Sequence, residues 1–147
     1  MCSSHATVRG LLHALRDDRG IVVVDTEASP EHLSRSTTEA VDLMLVVAEP
    51  YFKSLETARR YSAMGKELGI PRVAVLANKV RNADEEAAVG AFFEEHDTEL
   101  FAAVPFDAAL AAAERRGIAP LDHDVSAPAV ASIGEVAERI VELDRRA

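Results

Sequence analysis

The chain has 147 residues, 48% of them hydrophobic and 28% charged, the length and composition of one globular domain with an apolar core. A formal net charge of -9 with no Lys/Arg block argues against a nucleic-acid partner, and no apolar run approaches the ~18 residues of a membrane-spanning helix. Nothing at the amino terminus reads as a signal peptide, so a cytoplasmic protein is expected, and the single cysteine, Cys2, excludes an internal disulfide framework.

In chain order, Thr7 to Arg16 places Val8, Leu11, Leu12 and Leu15 on one helical face. Continuous apolar runs follow at Ile21 to Val24, Leu43 to Ala48 and Arg72 to Ala77, with a weaker one at Leu100 to Val104. Such runs predict strands covered on both faces, as in a parallel sheet. Between and after them lie helical segments: one that Ser54 would cap and that runs to Leu68 before Gly69 and Pro71, then Asn82 to Glu95, Ala108 to Arg116 and Pro128 to Arg145. Strands alternating with helices predict βαβ units, hence an α/β fold with a parallel sheet of about four strands. No linker divides residues 1–147, which are read as a single domain.

Ligands of such folds bind at the carboxyl ends of the strands. Those ends read Asp25-Thr26-Glu27-Ala28, Glu49-Pro50, Asn78-Lys79-Val80-Arg81 and Pro105-Phe106-Asp107. Asp25, directly after the first run, suits an acid that holds Mg²⁺ through water beside a nucleotide phosphate; the alternative is a cap for the next helix. Asn78 can donate to and accept from a purine edge at once, or hydrogen-bond its own loop. Glu27 and Glu49 are further acids at strand ends. Lys53 and Lys66 read as surface charges of a helix, Phe92 and Phe93 as the seal of a core edge, and "LDHD" at 121 to 124 as a polar loop.

As a set, "VVVDTEASPEHLSRS", "DLMLVVAEPYFKSLETARR", "LGIPRVAVLANKV" and "VPFD" resemble the MinD/ParA-type ATPases of the P-loop class, and most closely the CooC-type proteins that help insert nickel into carbon monoxide dehydrogenase. The resemblance implies ATP and Mg²⁺ as cofactors, Asp25 as the acid of the metal-holding strand, Asn78 facing adenine, and Pro105, Phe106 and Asp107 packed against the base. Guanine-binding relatives carry Asp where Arg81 stands, which favours adenine. The resemblance also implies a homodimer, carbon monoxide dehydrogenase as a client, and a Cys-x-Cys pair holding metal at the dimer interface. Cys2 matches one of those cysteines, and the other would precede Met1. Cys2 with His5 or His13 has the ligand chemistry for Zn²⁺ or Ni²⁺, but two or three ligands do not close a site.

The departures are as informative. The family's phosphate loop is a Gly-rich turn whose backbone N–H groups cradle phosphates while a Lys neutralises them. The only Gly-Lys pair here, Gly65-Lys66, falls inside a helix, with Arg60 where a Gly is needed and Glu67 where Ser or Thr is needed. Ser29-Pro30 follows Ala28 where the family has Gly, and Pro has no N–H to donate to a phosphate. The chain is therefore expected to be an incomplete domain, either a fragment or one half of a split protein completed by an amino-terminal half, with the missing loop and cysteine encoded just before Met1. A non-catalytic α/β interaction module derived from the same fold is the competing expectation. The absent strand would lie between Ile21 to Val24 and Leu43 to Ala48, so these two should either close up or leave an open edge.

Overall fold

The computed structural model describes residues 20–26 and 41–145. The elements run β1 (Leu43–Ala48), α1 (Phe52–Glu67), β2 (Arg72–Val80), α2 (Ala83–Glu95), β3 (Glu99–Pro105), α3 (Ala108–Arg116), the short α4 (Pro120–His123) and α5 (Pro128–Asp144). Among the described residues three strands form a parallel sheet in the order β1-β2-β3, with Val46 opposite Val75, Ala48 opposite Ala77 and Ala77 opposite Ala103. The expected parallel α/β architecture is thus present, and β2 and β3 run beyond their apolar runs.

One face of this sheet carries the core. Val46 and Ala48 of β1 and Val73, Val75 and Ala77 of β2 alternate onto it, as the two-residue period of a strand dictates. Ala58 of α1 and Val89 and Phe93 of α2 close over them, with Phe93 wholly buried. Phe92 meets Phe93 edge-on, at 5.1 Å between ring centroids. α5 packs against β3, where Arg139 donates to the Phe101 carbonyl and lies 4.1 Å above the Phe101 ring. Glu99 ties Arg139 and Arg72 together at 2.8 and 2.9 Å.

The helix ends follow their sequence signals. α1 stops where Gly69, at φ +78°, donates to the Lys66 carbonyl while Ile70 donates to that of Gly65; glycine accepts this left-handed turn without a Cβ penalty. Asn82 caps α2 by accepting from the Glu85 N–H at 2.9 Å, and Asp84, Glu85 and Glu86 set negative charge at the positive end of its dipole.

Several expectations are corrected. Ile21 to Val24 is not a strand: residues 21–26 form no regular element and have no ladder partner among the described residues, with Val23 83% exposed. Ile21 to Val24 and β1, expected either to close up or to leave an open edge, have not closed up, since β1 pairs only with β2 among the described elements. Nor is β1 covered on both faces, because Val47, on the face away from α1, is 57% exposed. α1 begins at Phe52 with Tyr51 at its cap position, and the Ser54 hydroxyl instead accepts from the Glu49 N–H at 2.9 Å. Lys66 is not simply solvated, for its ammonium donates to the Asp97 carbonyl and ties α1 to the turn before β3. "LDHD" contributes to the short α4 rather than to a loop. The helix at Thr7 to Arg16 lies outside the described residues.

Candidate functional site

The bulged end of β2 and the end of β3 open into a cavity of about 450 Å³. Four residues singled out in the sequence, Asn78, Pro105, Phe106 and Asp107, line it together. The far wall comes from α3 and the turn after it, with Leu110, Glu114 and Ile118. Sequence reading missed these three. The signal was available, because Leu110 and Glu114 stand four apart on a helix that starts directly behind a strand end, and so share one face.

Each of the four residues is held by its local structure. Asn78 is half-buried, and its Oδ1 accepts the Lys79 N–H at 3.0 Å, the own-loop bond that the sequence allowed. Phe106 follows Pro105, and its N–H donates to the Val80 carbonyl at 2.8 Å. Phe106 stays 47% exposed, and the Arg81 guanidinium lies over its ring at 5.2 Å, close enough for a cation–π contact. Asp107 is engaged by backbone donors through both oxygens. Oδ1 caps α3 through the Ala109 N–H at 2.8 Å, and Oδ2 accepts the Ala129 N–H in the first turn of α5 at 3.2 Å. The carboxylate thereby satisfies orphan donors of two helices at once.

Apolar walls at Pro105, Leu110 and Ile118, an exposed ring at Phe106 and a carboxamide at Asn78 suit a flat heteroaromatic ligand with a polar edge. Lys79 also lines the cavity, and its ammonium pairs with Glu49 at 2.6 Å. That hydrogen bond, ahead of the simple charge attraction, raises the Lys79 pKa.

Asp25 is placed elsewhere. It is exposed at the end of the unpaired stretch and does not line the cavity. Cys2, Glu27 and Ser29-Pro30 lie outside the described residues, as do His5 and His13. Among the described residues, no group of three or more His, Cys, Asp or Glu could hold a metal ion, and no helix is long and apolar enough to cross a membrane.

No family model matches the chain. It is 38% identical over 124 residues to the carbon monoxide dehydrogenase accessory protein CooC of Rhodospirillum rubrum, an alignment covering 83% of this chain and 46% of that protein. It is 42% identical over 110 residues to an uncharacterised ATP-binding protein of Methanocaldococcus jannaschii, covering 73% and 42% of the two chains. The cell division ATPase MinD of Pyrococcus furiosus superposes with a TM-score of 0.75 at 18% identity, over 95% of this chain and 59% of that one. The chain is thus similar in sequence to CooC and shares its fold with MinD. At such identity the MinD structure carries the fold, that of a P-loop-type α/β protein. The chain spans about half the length of the curated relatives it matches, 46% and 42% of the two named.

Proposed function

We propose that this chain is the base-binding part of a CooC-like ATPase, with the cavity at the ends of β2 and β3 taking the adenine of ATP. The observation that carries this reading is the convergence of Asn78, Pro105 and Phe106 on one 450 Å³ cavity, in a chain whose relatives include proteins named for ATP binding. In this reading Phe106 and Pro105 pack on the base and Asn78 meets its polar edge. Mg²⁺ would be held beside the phosphates by Asp25 once that stretch is built into a sheet. The residues present suit the base better than they suit the phosphates, because no Gly-rich, Lys-bearing turn occurs in the sequence and Asp25 stands apart from the cavity. We therefore infer that the chain does not hydrolyse ATP unaided and works in the cytoplasm with a second element, in the same polypeptide or another, that brings the phosphate loop. A role in loading nickel into carbon monoxide dehydrogenase, as a dimer with metal at Cys2, is the finer form of this proposal and rests on the likeness to CooC.

The exposed, unpaired Asp25 stretch favours one other reading, a non-catalytic interaction module that has kept the fold alone. Substituting Asn78 separates the two. Asn78→Ala should weaken adenosine or ATP binding by about 1–3 kcal/mol, the cost of a lost two-point contact to a base edge. Equal affinity in variant and parent, measured by titration followed by NMR, would remove the adenine assignment and leave the interaction module.

A further inference from the structure

The loop that presents Asn78 is held in a conformation its own residues do not favour. Lys79 has φ +60°, the left-handed region that penalises any residue with a Cβ. It sits in a bulge: Ala77 pairs with Ala103 and Val80 with Pro105, so Asn78 and Lys79 together face the single residue between. Bulges of this kind re-aim a side chain near a site. Here the Lys79 ammonium reaches the end of β1, where Glu49 Oε1 lies 2.6 Å away. Glu49 is itself fixed from behind, because its N–H donates to the Ser54 hydroxyl at 2.9 Å and its carbonyl accepts the Tyr51 N–H at 2.8 Å. A line of contacts thus runs from the first turn of α1 through Glu49 and Lys79 to Asn78, whose Oδ1 accepts the Lys79 N–H. That leaves Oδ1 with a second lone pair and Nδ2 with its two hydrogens for a ligand.

We propose that Lys79 is a positioning residue whose ion pair with Glu49 holds the β2 bulge in its left-handed turn and so sets the Asn78 carboxamide at the cavity; the inference rests on the base-binding reading above. Glu49 is the hydrogen-bond partner of the Lys79 ammonium, and Glu114 and Tyr51 act on it by charge alone. Without the pair, the backbone at 79 relaxes toward negative φ, and its N–H leaves Asn78 Oδ1. Glycine at 79 removes the Cβ penalty and with it the need for the pair.

The test uses the 147-residue chain with adenosine as the probe, which carries no phosphate for Lys79 to attract. Lys79→Met and Glu49→Gln should each weaken adenosine binding about fivefold, the scale of coupling between neighbouring groups. Both should also speed hydrogen exchange at the amide of residue 79 in the free chain. The melting temperature should barely move, because exposed ion pairs add little stability. The reversed pair, Glu49→Lys with Lys79→Glu, should restore binding, and Glu49→Gln should have no effect in a Lys79→Gly background. Unchanged exchange in both single variants overturns the proposal, as does unchanged adenosine affinity where the parent binds. Tighter binding in Glu49→Gln also overturns it, since Lys79 would then touch the ligand directly. If exchange at residue 79 quickens while neither parent nor variants bind adenosine, the positioning role stands and the base-binding reading fails.

Discussion

Val22 to Val24 and Val73 to Val75 are built from the same kinds of residue, yet only the second run is a strand. Val75 is wholly buried between β1 and β3 with α1 and α2 above it, whereas Val23 is 83% exposed with no ladder partner among the described residues. Strand propensity measures fit to a pleated, half-covered surface rather than an intrinsic preference of the backbone. The second run has neighbours at both edges, and the first has none among the described residues. The same contrast divides the candidate site: the cavity lies at the end of the paired strands, while Asp25 ends the unpaired run.

The two runs should respond differently to truncation. Val75→Ala should cost about 2 kcal/mol through lost burial and an unfilled cavity, and Val23→Ala should stay within about 0.5 kcal/mol, as at other exposed positions. Denaturant melts of both variants give the two values, and a large loss at Val23 would mean that its run is buried in solution. Asp107→Ala should cost about 1–2 kcal/mol, because it uncaps α3 and α5 together; a loss confined to ligand affinity would instead make Asp107 part of the base site alone.

A smaller effect tests the surface of α1. Hydrogen bonds from Arg59 and then Arg60 hold the Glu56 carboxyl down from 4.5 to about 2. A carboxyl whose pKa is lowered on folding stabilises the fold above its unfolded value and loses that contribution as pH falls. The small gap in melting temperature between the parent and Glu56→Gln should therefore be full at neutral pH and close between pH 4.5 and about 2. A gap independent of pH would show that the pairing with Arg59 and Arg60 does not matter.

The paired half was legible because its signals are local. Gly69 and Asn82 mark helix ends that depend on their own backbone freedom or side chain, and the apolar runs of β2 and β3 have neighbours on which to act. Ile21 to Val24 was misread because pairing is not local: no residue in that run reports whether a neighbouring strand exists. Asn78, Pro105 and Phe106 could be found at strand ends. Glu49 and Lys79 lie 30 residues apart, and their pairing depends on a bulge and a left-handed residue that the sequence does not announce. Ser54 was misplaced for a related reason, since Tyr51, a residue with no capping side chain, opens the helix while the Ser54 hydroxyl serves the Glu49 N–H.

As proposed, the chain grips a base without gripping phosphates. Titration of the 147-residue chain with adenosine and with MgATP, alongside a phosphate-release assay, tests it most directly. Both should bind weakly, on the order of millimolar, with ATP gaining no more than about threefold over adenosine, because an isolated base site offers few buried contacts and the phosphates meet no cradle of N–H groups. No phosphate should be released. Micromolar binding of MgATP with steady turnover would overturn this reading of the site, and would mean that a phosphate-binding element operates within this chain.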